Sequence, residues 1–269
     1  MRTVSKYTKT VFLLVSLLLS CAMTAQADNT ACAGAIFLVP DGSLHQGSFT
    51  AQGQDRWYRF VVKANRSYAV MIEDLSPSDT LPFVVFSQVF GGSCQDLTPF
   101  PSNGIFQVEP VNGAVQGSFS VQPLVNTELF FPVNSDGASS GNFRLRVEET
   151  TLFNPRWSTF GGFHTEFGFL NTTNTAMVGT LTLFNNFGAV ITTSFLTISV
   201  NGTAFRDTRP VAVVGPEGLN VADNQKGSAL FTHNGPPGAI LADSFIVHPG
   251  FPTGPFVVPG KFETARQMR

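Results

Sequence analysis

Residues 129–157 read LFFPVNSDGASSGNFRLRVEETTLFNPRW. Residues 142–148 place Phe143, Leu145 and Val147 in alternation with Asn142, Arg144, Arg146 and Glu148. That period of two predicts a half-buried strand, apolar on one side and charged on the other. Just before it, Gly137-Ala138-Ser139-Ser140-Gly141 fits the G-x-S-x-G pattern of a hydrolase nucleophile. Such an elbow needs a strand before it and a helix after it. Here Ser135-Asp136-Gly137 is turn chemistry and the following segment is a strand. Ser139 is therefore read as a loop residue of a hairpin joining residues 129–134 to 142–148, and not as a nucleophile. Pro132 cannot donate to a ladder, so residues 129–134 are expected at an edge or paired on one side only.

Outward from this stretch the same grammar repeats. Residues 56–62 (RWYRFVV) put Tyr58, Phe60 and Val62 on one face, and residues 68–73 (YAVMIE) do so with Tyr68, Val70 and Ile72. With the polar turn 64–67 between them they read as a hairpin. Residues 81–90 and 117–122 complete a first set of strands. Downstream, residues 166–170, 177–184, 190–198, 204–208, 227–233, 239–247 and 256–262 form a second set, punctuated by Asn201-Gly202 and the turn at 234–238. Charged residues make up only 13% of the chain, too few for helical bundles built on Glu and Lys. The expected fold class is all-β, two antiparallel β-sandwich domains in tandem after an N-terminal signal segment. The divisions are 1–27 signal peptide, 28–148 first sandwich, 149–157 linker and 158–269 second sandwich.

The signal reading rests on Arg2, Lys6 and Lys9, an apolar run over residues 11–19, and the small-x-small pattern Ala25-Gln26-Ala27. Leu18-Leu19-Ser20-Cys21 competes with it, since it resembles the lipobox of bacterial lipoproteins, with Cys21 as the lipidation site. Without residues 1–27, thirteen basic residues face eighteen acidic ones, a net charge of −5. No basic patch stands out, which argues against a nucleic-acid partner. The two remaining cysteines, Cys32 and Cys94, are expected to form a disulfide, as in an exported protein.

The layout Asp55-Arg56-Trp57-Tyr58-Arg59-Phe60, then Asn65-Arg66-Ser67-Tyr68, then Gly141-Asn142-Phe143-Arg144-Leu145-Arg146-Val147 resembles the bacterial pre-peptidase C-terminal domain. That family is a small β-sandwich appended to secreted enzymes and surface proteins. The resemblance implies an accessory binding or solubility module. Some members bind calcium through acidic clusters, but Asp41, Asp55, Asp74, Asp79 and Asp136 lack D-x-D-x-D spacing, and no metal site is carried over. Around residues 181–203 the second domain loosely resembles immunoglobulin-like modules of bacterial surface proteins.

Catalytic patterns are sparse. His45, His164, His233 and His248 form no helix-spaced pair. His164 and Glu166 share a strand face and would be half of a metal or acid–base site. A Ser244-His233-Asp243 grouping is conceivable but has no support from spacing. No H-E-x-x-H, C-x-x-C, phosphate-loop or dinucleotide motif is present. No catalytic, cofactor-binding or metal residue is assigned and no cofactor is expected. The 27 phenylalanines read mainly as core, with residues 160–169 as a protein-binding patch or the packing between domains. The N-x-S/T triplets at Asn65, Asn171 and Asn201 carry no weight in a chain of bacterial appearance. The expected role is an exported, non-catalytic binding, adhesion or structural module of the cell envelope or extracellular space: periplasmic, extracellular or outer-membrane-anchored. A protein or cell-surface ligand is the expected partner, and the membrane is reached only through Cys21. The alternatives are a secreted hydrolase with a site between the domains, and an inert spacer.

Overall fold

A computed structural model describes residues 29–51, 53–75, 84–86, 88–102, 109–111, 114–135, 141–251 and 254–265. The signal segment with Cys21, the stretch 76–83 with Asp79, and the stretch 136–140 with Asp136 and Ser139 lie outside these residues.

The fold is all-β. The first sandwich holds β1 (Ile36–Phe37), β2 (His45–Phe49), β3 (Asp55–Val62), β4 (Tyr68–Asp74), β5 (Val84–Phe86), β6 (Phe90–Ser93), β7 (Asp96–Pro99), β8 (Glu109–Val111), β9 (Ala114–Val121), β10 (Thr127–Ser135) and β11 (Gly141–Glu149). One sheet has the order β1-β3-β10-β6-β7, with β5 also on β10, and the other β2-β11-β4-β9-β8. All pairs are antiparallel except β1 with β3. The predicted apolar faces meet between the sheets. Tyr58, Phe60 and Val62 from β3 share one core with Tyr68, Val70 and Ile72 from β4 and with Phe143, Leu145 and Val147 from β11. Edge-on ring contacts cross the gap, among them Phe119 to Phe131 at 5.5 Å and Phe86 to Phe119 at 4.8 Å. This is the geometry aromatic quadrupoles favour.

Two expected hairpins are corrected. β3 and β4 belong to different sheets, as do β10 and β11. In each pair the chain passes from one sheet to the other instead of turning back within a sheet. The Tyr68 hydroxyl accepts the Lys63 N–H (2.9 Å) at the first crossing. Pro132 is also repositioned, for β10 is an interior strand. Its second neighbour is broken there: β5 stops opposite Val133 and β6 begins opposite Phe130. The strand is thus two-sided, but the proline sits where one partner is interrupted, as a missing donor requires. The residue run 81–90 is likewise two strands, β5 and β6.

Cys32 and Cys94 form the expected disulfide, with Cα atoms 5.5 Å apart. Cys32 lies in a 3₁₀ turn just before β1, and Cys94 in the turn between β6 and β7. The bond therefore ties the two opposite margins of one sheet.

The second sandwich comprises β12 (Leu152–Ser158), β13 (His164–Asn171), β14 (Met177–Asn185), β15 (Val190–Ile198), β16 (Thr203–Asp207), α1 (Val211–Val214), β17 (Lys226–His233), β18 (Ile240–Phe251), β19 (Gly254–Lys261) and β20 (Glu263–Thr264). Its sheets run β15-β14-β17-β12-β20 and β16-β13-β18-β19. The segment 149–157, expected as a linker, is mostly β12: it pairs with β17 and β20, and Leu152 and Trp157 are core residues. Only Thr150-Thr151 separates the last strand of one sandwich from the first of the other. Phenylalanine fills this core too, with Phe169 stacked on Phe231 at 4.2 Å. Of the Phe-rich segment, Phe167 and Phe169 are core and Phe163 packs edge-on to His248, while Phe160 is exposed.

Candidate functional site

β13 reads His164-Thr165-Glu166-Phe167-Gly168-Phe169-Leu170-Asn171. Thr165, Phe167 and Phe169 point into the core; His164, Glu166, Gly168 and Leu170 therefore share the outer face. The ladders add their neighbours in rows. Glu166 lies between Asp207 and Phe245, Gly168 between Phe205 and Asp243, and Leu170 between Thr203 and Leu241. β19 extends the rows with Val257, Pro259 and Lys261. The result is a sheet face with Leu170, Phe205, Leu241, Phe245 and Val257 all exposed, from 38% to 57%. The Phe205 ring lies over Gly168, where a Cβ would meet it at 3.5 Å, an ordinary contact.

At one end of this face the predicted His164–Glu166 pair is present, with Nε2 3.1 Å from Oε1. Asp207 joins it, and the three ligand-type atoms all lie within 4.8 Å of one another. Sequence reasoning missed Asp207 and Arg209. Arg209 donates from Nε (2.9 Å) and Nη2 (2.5 Å) to Asp207 Oδ2 and from Nη2 to Glu166 Oε1 (3.3 Å), while its backbone N–H donates to Asp207 Oδ1 (2.8 Å). Asp207 also raises the Arg209 pKa through this hydrogen bond. The donor set has the composition of a divalent-cation site, but a guanidinium holds the cation position and both Asp207 oxygens are committed. Arg209→Met is expected to give saturable Zn²⁺ binding that the wild type lacks, measured by calorimetry, with His164→Ala on the Arg209→Met background abolishing it.

The Ser244-His233-Asp243 grouping is not assembled. Asp243 faces outward on β18, and Ser244 faces the core, where its Oγ accepts from Asn154 Nδ2 at 2.6 Å. His233 is buried on the other sheet, its Nδ1 accepting the Gly235 N–H at 3.2 Å. His45 is edge-on to Tyr58 at 5.4 Å, and burial lowers its pKa. His248 Nδ1 accepts the Gly250 N–H (3.2 Å). Asp41 and Asp55 are spent on local structure: Asp41 accepts the Ser43 N–H and Asp55 accepts from Asn134 Nδ2.

No family model and no curated protein matches the chain. Among solved structures it is similar to a glycosyl hydrolase family 2 member from Bacteroides cellulosilyticus, with 7% identity and a TM-score of 0.17 over 77% of this chain and 28% of that one. It is similar also to a beta-glucuronidase of glycoside hydrolase family 2, with 12% identity and a TM-score of 0.18 over 89% of this chain and 26% of that one. The chain thus spans about a quarter of the length of each. Likeness this low assigns neither fold nor residue.

Proposed function

We propose that the protein is an exported, non-catalytic binding module whose ligand face is the outer surface of the β16-β13-β18-β19 sheet. The observation that carries this reading is the set of exposed apolar side chains Leu170, Phe205, Leu241, Phe245 and Val257 on one sheet face. Several large apolar side chains left exposed on one sheet face fit an interaction surface. Asp243 and Glu166 lie among these apolar residues on the interior strands, with Lys261 and the Asp207/Arg209 pair at the two edges, so the face is mixed apolar and charged. The polar groups that would serve a hydrolase are instead engaged with one another, Ser244 by Asn154 and Asp207 by Arg209.

Export is supported by the signal-like residues 1–27 and by the Cys32–Cys94 bond, since disulfides persist in oxidising compartments. The resemblance of the first sandwich to the pre-peptidase C-terminal domain and the loose immunoglobulin-like character of the second fit accessory modules at the cell envelope. Mass spectrometry of the mature N-terminus separates the two processing routes: a chain starting at Asp28 excludes lipidation at Cys21.

The binding reading is tested with mature protein in a pull-down from envelope extract and on a glycan array. Phe205→Asp and Phe245→Asp are expected to reduce capture at least roughly tenfold each while leaving the fold unchanged, because both side chains are exposed and a few large side chains dominate binding. Capture that survives both substitutions removes this face as the site. Absence of any capture favours the spacer.

A further inference from the structure

The two sandwiches meet around the turn at residues 234–238. His233 donates its backbone N–H to Ser67 Oγ (3.4 Å), and the Asn234 carbonyl accepts from Ser120 Oγ (2.7 Å). The connector closes on the same spot. Thr150 donates its N–H to the Ser67 carbonyl (2.8 Å) and its hydroxyl to Ser67 Oγ (2.9 Å), and Ser67 donates its N–H to Thr151 Oγ1 (2.9 Å). The His233 ring sits among these groups, 1% exposed, stacked near Phe231 at 6.1 Å. Nδ1 accepts the Gly235 N–H, so the neutral ring carries its proton on Nε2, and the ring is also hydrogen-bonded to the Thr150 backbone. The turn has no slack: a Cβ on Gly235 would lie 2.7 Å from Ala239 Cβ, 2.8 Å from Met177 Sδ and 3.3 Å from His233 Nδ1.

This geometry accepts only the neutral ring. A proton on Nδ1 would set two N–H donors against each other. The charged groups on the packed elements give little help. Arg66, ahead of β4, pairs with Glu149 (3.4 Å) and lies over the Phe153 ring (4.3 Å). Glu148 bridges to Asp41 through its backbone. β14 presents Met177 and Gly179, β12 Leu152, and β9 Ser120, none of which ionises.

We propose that His233 is an acid-released latch: when neutral it holds the second sandwich against Ser67, Ser120 and Thr150, and when protonated it frees that contact while both cores stay folded. The hinge is Thr150-Thr151. A histidine free of the junction takes its proton near pH 6.5. Burial pushes the docked ring down to about 4, with the Thr150 hydrogen bond opposing weakly. The released form therefore binds more protons than the docked one between these values. Docking is complete above about pH 6.5 and is lost progressively as pH falls towards 4. The inference stands apart from the binding face proposed above.

Small-angle scattering and near-ultraviolet circular dichroism of the mature chain, from pH 7.5 to 4, test it. The expected result is a rise in maximum dimension with a midpoint inside that window while the aromatic dichroism persists. His233→Gln, which is neutral at every pH, is expected to remove the transition, and Ser120→Ala to move it to higher pH. If the Gln variant does not fold, proton NMR titration of the wild-type histidines decides: the ring with the lowest pKa must share the midpoint of the expansion. Wild-type dimensions constant to pH 4, expansion only together with loss of dichroism, or an unchanged transition in His233→Gln would each overturn the latch.

Discussion

Trp157→Ala is expected to cost the second sandwich roughly 4 kcal/mol, the range found for emptying a large aromatic site in a core. The side chain is fully buried, and its Nε1–H is shared by the Phe184 carbonyl (3.0 Å) and the Ser228 carbonyl (2.9 Å). It therefore joins three strands, β12, β14 and β17, at a place where the β12–β17 register shifts between Asn154 and Trp157. Opposite it stands Gly227, whose hypothetical Cβ would be 1.8 Å from the Phe184 carbonyl oxygen, so the β14 and β17 backbones already approach closely beside the indole. Alanine thus leaves both a cavity and two carbonyls without their donor. Domains of this size hold about 5–15 kcal/mol in all, so the loss is a large part of the total. Urea unfolding followed by far-ultraviolet dichroism reads it, and Trp157→Phe separates the parts by keeping most of the volume without the donor. A loss below about 1 kcal/mol for alanine would mean that the indole is not the plug described.

The second large effect is expected in the other sandwich. Replacing Cys32 and Cys94 by alanine should lower its stability by about 4 kcal/mol on the chain-entropy account, because the bond closes a loop of 62 residues. The bond also acts across the sheet, from the turn before β1 to the β6–β7 turn. On its near side, Asn29 accepts the Trp57 N–H at 2.7 Å and returns a bond from Nδ2 to the Trp57 carbonyl (3.3 Å), so the cysteine turn is pinned to β3 as well. Two urea transitions are expected for the double variant, with the one reported by Trp57 moved to lower denaturant and the one reported by Trp157 unmoved. Coincident movement of both would show that the sandwiches unfold as one unit.

Most strands were legible in the sequence because each has one buried side. Phe143, Leu145 and Val147, or Leu181 and Leu183, announce a face by their spacing alone. The pairings were not legible for the same reason. Strands facing each other across a core turn their apolar sides together just as neighbours within a sheet do, so alternation cannot separate a crossing from a hairpin. Both corrected connections, at residues 63–67 and after Ser135, are of this kind. The strand at Leu152–Ser158 was hidden because its burial pattern is irregular, with Leu152, Asn154, Trp157 and Ser158 buried around a bulge. At the site, His164 and Glu166 could be paired on paper by their separation of two. Arg209 is 43 residues from Glu166, and only the β13–β16 ladder brings them together. Similarly, Phe205 and Phe245 looked like any other core phenylalanines, since exposure depends on which face of which sheet remains uncovered.

The crossings at residues 63–67 and after Ser135 bear on how the chain acquires its shape. β14–β15 and β18–β19 are adjacent in sequence and pair directly, so the second sandwich has contacts of low contact order from which to start. In the first, β3 must wait for β10 and β4 for β9 and β11. The central pairings β12–β17 and β13–β18 of the second are as distant, so in both halves loop entropy is lost before the central ladders are rewarded. A chain emerging from its N-terminus exposes β3 and β4 before β10 and β11 have been made, and this early part remains a client for chaperones during that interval.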